Sequence, residues 1–132
     1  MSRVIRHNFG SGHHVDARGW VVNPVLPEYA AKAFGHVHLT SIEPGAIRGN
    51  HRHRQLTELS IVWGGRSHWR VEADCGAEDF ELQASELSLV EIPPGVGHAV
   101  KNADNHVIYL LAYYDRPFDA DHPDSEPCPL LP

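Results

Sequence analysis

Cysteine is scarce in this chain of 132 residues: Cys75 and Cys128 stand far apart and form no C-x-x-C pair. That excludes a disulfide framework and a cysteine-based zinc site. Lysine is scarcer than arginine (two against nine), and the basic residues are scattered rather than gathered into a stripe interleaved with aromatics. With a net charge of −6, the overall field repels a nucleic-acid backbone, so no nucleic-acid partner is expected. No apolar run reaches the length of a membrane span, so no membrane partner is expected. The opening Met1-Ser-Arg-Val-Ile-Arg lacks the apolar core of a secretory signal, and a cytoplasmic protein is expected. Long helical periodicity, internal repeats and low-complexity tracts are missing as well.

What remains is a series of short strand-like segments separated by Gly, Pro, Asn and Asp. The pattern predicts strands at Trp20–Asn23, Phe34–Ile42, Leu56–Trp63, His68–Ala73, Asp79–Gln83, Ser88–Ile92, Gly97–Lys101 and His106–Tyr114. One short helix is predicted at Glu28–Ala33. Such spacing predicts an all-β sandwich or barrel. The length predicts one domain over 1–132, with an N-terminal arm to about residue 33. From about 117 to 132 the prolines exclude a central strand or helix, leaving a tail. Leu56–Trp63 and His106–Tyr114 are apolar on both faces. The second face needs cover from another layer, the arm or a second subunit, and a homodimer is expected.

Eleven histidines are present, and their placement carries the functional signal. His51 and His53 stand one residue apart in Gly45-Ala-Ile-Arg-Gly-Asn-His51-Arg-His53. Side chains so spaced share a face only on an extended strand. Glu58 follows five residues later and can join them across a turn. His98 lies in Pro93-Pro-Gly-Val-Gly-His98. Three imidazoles and one carboxylate suit a divalent transition metal; zinc, iron, manganese and nickel all remain open. His36 and His38 form a second H-x-H without a nearby carboxylate, for which a structural role is expected.

The spacing G-x(5)-H-x-H-x(4)-E-x(6)-G from Gly45 to Gly65, followed by P-x-G-x-x-H-x-x-x-N from Pro93 to Asn102, resembles the two-part signature of the cupin superfamily. The resemblance implies a double-stranded β-helix (jelly-roll) barrel with His51, His53, Glu58 and His98 as metal ligands. Leu87 stands where that pattern has a turn glycine, which questions the local backbone. Gly35–His53, Pro93–Asn102 and Phe118–Ser125 further resemble the C-terminal cupin domain of bifunctional UDP-sugar reductase/epimerases of capsular polysaccharide synthesis. Asp16-Ala-Arg18-Gly is similar to a motif of deoxysugar epimerases.

This resemblance implies an epimerase or isomerase acting beside the keto group of a nucleotide sugar. Tyr109 or Tyr113 is the expected acid, and His51 the base if no metal is held. Arg48 and Arg18 are the candidates for the diphosphate, and Trp63 and Trp69 for stacking on sugar or base. No dinucleotide-binding glycine motif is present, so no nicotinamide cofactor is expected and a separate reductase would work alongside. Two other activities suit the same barrel: a metal-dependent oxygenase on a small organic substrate, and non-enzymatic sugar or metal binding.

Overall fold

A computed structural model describes residues 3–30, 36–117, 119 and 121–132. Twelve strands and one short helix are present among them. One sheet carries β1 (Ile5–Asn8), β9 (Ser88–Ile92), β6 (Glu58–Trp63), β11 (Ile108–Tyr114) and β4 (His36–Ile42), in that order. The other carries β12 (Ser125–Pro127), β5 (Ile47–His53), β10 (Gly97–Asn102), β7 (Ser67–Ala73) and β8 (Gly76–Leu82). A separate hairpin joins β2 (His14–Asp16) to β3 (Gly19–Val21). Every pairing is antiparallel, and the two sheets close on one another as the expected jelly-roll barrel.

The inward faces make the main core. Val62, Val90, Ile108 and Leu110 of the first sheet meet Trp69, Val71, Val100 and Leu82 of the second. Each such side chain, taken fully out of water, contributes roughly 1.5–3 kcal/mol. The outward face of the first sheet is apolar too. The N-terminal arm covers part of it: Leu26 and Tyr29 pack on Leu59, Ile61, Leu89 and Tyr113. The helix α1 (Pro27–Ala30) that presents Tyr29 opens on a proline, which suits a first helical position. The expected helix residues 31–33, and Phe34 and Gly35 of the expected strand, lie outside the described residues.

Cover is incomplete at the far edge of that face. Val37 and Leu39 of β4 and Tyr109 of β11 remain exposed, as do Val15, Trp20 and Val21 of the hairpin. Leu87 causes no backbone distortion: Asn50 is the sole non-glycine with positive φ among the described residues. Its carbonyl instead accepts from Phe9 N at 2.7 Å, and its amide donates to Gly10 O at 3.1 Å, tying the arm to the sheet. Among the described residues no helix is long and apolar enough to cross a membrane.

Candidate functional site

The site is built on an irregularity in β5. Across from it on β10, His98 pairs with His51 and Ala99 with Gly49, so Asn50 is an extra residue, a β-bulge. Gly49 (φ 92°) and Asn50 (φ 57°) both take positive φ, a conformation that glycine and asparagine tolerate best. The bulge resets the alternation. Arg48 pairs with Val100 and His51 with His98. Val100 and His98 share a face of β10, so Arg48 and His51, three residues apart, do too. An unbroken strand would set them on opposite faces.

The tail holds this bulge in place. Asn50 Oδ1 accepts from Leu130 N (2.9 Å) and Leu131 N (3.0 Å), and its Nδ2 donates to Leu131 O at 2.9 Å. Strand β12 pairs along β5, with Ser125 opposite His53 and Pro127 opposite His51. Proline is tolerated there because β12 is an edge strand. Asp124 Oδ2 accepts from Gln55 N (2.9 Å) and Leu56 N (3.0 Å), fixing the turn that leads to Glu58. Phe118 and Ala120 of the tail motif lie outside the described residues.

His51, His53, Glu58 and His98 converge. One ligand atom from each lies within 4.8 Å of all the others. Glu58 Oε1 stands 3.0 Å from His53 Nε2 and 4.0 Å from His51 Nε2, and Oε2 stands 3.4 Å from His98 Nε2. Ser60 Oγ donates to Oε2 at 2.7 Å. His98 Nδ1 faces the Val96 carbonyl at 3.3 Å. A carbonyl only accepts, so Nδ1 carries the proton and Nε2 is the ligating nitrogen. Ligands about 2.1 Å from one tetrahedral ion stand roughly 3.4 Å apart, close to these separations. His51 Nε2 and His98 Nε2 are buried without an aligned hydrogen bond. Orphaned nitrogens facing a carboxylate are what a metal site looks like without its ion, so the donor set fits a divalent transition metal.

The electrostatics agree. Burial and the nearby charge of His98 push His51 down to about 4. For Glu58 burial acts upward, but the charge of His98 and the hydrogen bond from His53 win and hold it well below the carboxylate range. Burial pulls His98 down, yet the Glu58 charge outweighs it and its pKa is raised. Glu58 is therefore ionised at neutral pH, while His51 is neutral and free to donate a lone pair.

His51, Glu58 and His98 of the cluster line a cavity of about 280 Å³ whose walls also include His38, Thr40, Arg48, Trp69, Leu110 and Tyr114. Arg48 donates to the Ser41 carbonyl at 3.1 Å. It has no carboxylate within ion-pair distance among the described residues. Trp69 reaches the wall, but it is buried, its Nε1 donates to Ser67 Oγ at 3.0 Å, and its ring stacks on Phe80.

Tyr109, Tyr113, Trp63 and Arg18 are not brought to the cavity. Tyr109 is exposed on the outer face and stacks on Trp63. Tyr113 packs under the arm and donates to Pro24 O at 2.8 Å. Arg18 pairs with Asp16 in the exposed hairpin. Tyr114, which sequence reasoning left aside, and His38, for which a structural role was expected, line the cavity instead. The signal for Tyr114 was its parity with Leu110 and Ala112 on β11.

This fold and this cluster define a jelly-roll cupin with a histidine–glutamate centre. The chain belongs to the polysaccharide biosynthesis C-terminal domain family, whose pattern matches residues 14–126. A UDP-2-acetamido-2,6-beta-L-arabino-hexul-4-ose reductase of Pseudomonas aeruginosa is 24% identical over 117 residues, 87% of this chain. The chain spans about 30% of that relative's length. Among solved structures, the capsular polysaccharide assembling protein CapF of Staphylococcus aureus is similar with a TM-score of 0.68 and 22% identity, over 76% of this chain and 30% of that one. A 3,4-ketoisomerase of Helicobacter canadensis reaches a TM-score of 0.74 at 15% identity, over 96% of this chain and 91% of that one. The 3,4-ketoisomerase QdtA of Thermoanaerobacterium thermosaccharolyticum, solved as a mutant with TDP-4-keto-6-deoxyglucose, reaches 0.71 at 18% identity, over 93% and 86%.

Proposed function

We propose that this chain is a metal-binding nucleotide-sugar isomerase or epimerase that moves a proton beside a keto group, in surface polysaccharide synthesis. One observation carries the reading: the histidine–glutamate cluster opens onto a cavity that also holds Arg48, a cation without a carboxylate partner among the described residues. The names of the relatives, which handle keto-sugars and capsular polysaccharide, support the same chemistry.

His51, His53, Glu58 and His98 would hold the ion, and a bound divalent metal supplies Lewis-acid polarisation of a substrate oxygen. Arg48 grips a phosphate oxygen by a bidentate contact and sets the sugar's depth. A cavity of about 280 Å³ takes a sugar ring and leaves the nucleotide at its mouth. The Tyr114 hydroxyl is the acid: burial and the Glu58 charge raise its pKa, so it stays protonated and donates.

The test is solvent deuterium uptake next to the carbonyl of dTDP- and UDP-linked 4-keto sugars, with metal analysis of protein purified without a nickel column. Uptake with stoichiometric metal is expected; no uptake across the panel overturns the reading. The uncovered Val37, Leu39 and Tyr109 support a homodimer, which a monomer mass in light scattering would exclude. A separate reductase working on the same intermediate completes the proposal.

A further inference from the structure

The mechanism above has a base missing. A metal held by His51, His53 and His98 occupies their lone pairs, so none of them can accept a proton from carbon. We propose that His38 is the catalytic base that takes and returns the substrate proton, an inference that rests on the keto-sugar reading above.

The register of the first sheet sets the geometry. On its inner face Ser60, Ala112 and His38 lie side by side across β6, β11 and β4. His38 is thus two strand spacings, roughly 10 Å, from the strand that carries Glu58. Ala112, between Ser60 and His38, carries the smallest side chain available to an inward position, so it adds little bulk between the two outer strands. His38 lines the same cavity as His51, Glu58 and His98.

The ring of His38 is held rather than loose. It packs against His36 at 5.0 Å and edge-on to Tyr114 at 5.8 Å between centroids. Its Nδ1 is buried and has no hydrogen-bond partner among the described residues. A buried polar atom without a partner costs on the order of 1–3 kcal/mol, and such atoms concentrate where function needs them. Burial also lowers the pKa of His38 against the upward pull of Glu58, with His36 and His53 pushing further down. The imidazole is therefore neutral at pH 7 and able to accept.

The step balances as follows. A neutral His38 nitrogen removes the proton from the carbon beside the carbonyl. The C–H pair becomes the C=C bond of an enolate, and the carbonyl π pair moves to oxygen. In isomerisation the Tyr114 hydroxyl gives its proton to the former carbonyl oxygen and recovers one from the hydroxyl of the first carbon. His38 then returns its proton to the neighbouring carbon, and the carbonyl re-forms one position along. No oxidant or reductant is consumed.

Two variants test this in the metal-loaded protein. His38→Gln keeps polarity without basicity, and His38→Phe keeps the ring packing. Each is expected to lower deuterium exchange into a dTDP-4-keto-6-deoxy sugar by on the order of 10²–10⁴-fold. Metal content and dTDP affinity should stay within about twofold of the parent. The acid limb of the pH–rate profile should disappear from any residual activity. Exchange within about threefold of the parent in either variant overturns the role of His38 while leaving the proposed function intact. Loss of metal or of the folded signal in both assigns His38 to structure and overturns it equally. Absence of exchange in the parent protein overturns the underlying reading, and His38 falls with it.

Discussion

Replacing Gly49 by alanine probes the bulge that assembles the site, and its effect can be worked from the geometry. A Cβ built on Gly49 would sit 2.7 Å from the His98 carbonyl oxygen and 3.2 Å from Ala99 Cα, both backbone atoms that cannot rotate away. Its φ of +92° adds a conformational penalty for any L side chain, about 1–2 kcal/mol. Forcing β10 away from β5 adds a further ~1–3 kcal/mol, as for other overpacked contacts. The sum, roughly 2–5 kcal/mol, is a large part of a domain stability of about 5–15 kcal/mol. For a chain of this size it corresponds to a fall in Tm of roughly 7–18 °C.

Gly45→Ala is the matched control, because Gly45 has a φ of +76° but nothing within 4 Å of the added atom. It should lose only the conformational part, about 1–2 kcal/mol. The assay is thermal unfolding by circular dichroism on both variants, followed by metal titration. Gly49→Ala should bind metal more weakly than Gly45→Ala, since the displaced strand carries His98 opposite His51. Equal Tm values for the two variants would refute the claim that close approach at the bulge builds the ligand set.

Three further outcomes are expected. Glu58→Gln should abolish stoichiometric metal binding, measured by elemental analysis, because it removes the carboxylate on which three imidazoles converge. Asn50→Ala should weaken metal affinity and increase amide exchange along 125–131, because three hydrogen bonds to the tail are lost. In the metal-free protein, stability should fall as the pH drops from 6.5 to about 4, because His51 has a depressed pKa and its stabilising neutral state is lost through that window. His98 has a raised pKa, so its contribution is complete below 6.5 and fades as the pH rises through its folded value. A pH series of Tm with and without His51→Gln reads the first effect directly.

Most of the histidine–glutamate cluster was legible because its spacing is local: H-x-H needs an extended strand, and Glu58 needs only the turn after it. The barrel followed from the spacing of short strands, and the need for cover on its outer face from a β6 that is apolar on both faces. Which tyrosine faces the cavity was not legible, for a physical reason. Period-two alternation divides β11 into two sets, but both are apolar, so nothing local says which faces inward. Tyr109 and Tyr113 share the outward set; Tyr114 shares the inward set with Leu110 and Ala112. The same ambiguity separates Trp63, outside, from Trp69, inside. His38 was hidden because its partners, His36 aside, come from strands far away in sequence. Arg48 reaches the cavity only through the bulge, which period-two logic cannot anticipate.

The clasp on Asn50 bears on how the protein is made. His51, His53, Glu58 and His98 all leave the ribosome before Ser125–Leu131 does. A nascent chain that has produced all four still leaves the outer edge of β5 bare, the side that β12 later pairs with. Such edges recruit strands from other molecules. Pairing of β12 with β5 closes that edge on the strand that carries the H-x-H pair, and it can do so only once the tail has been made.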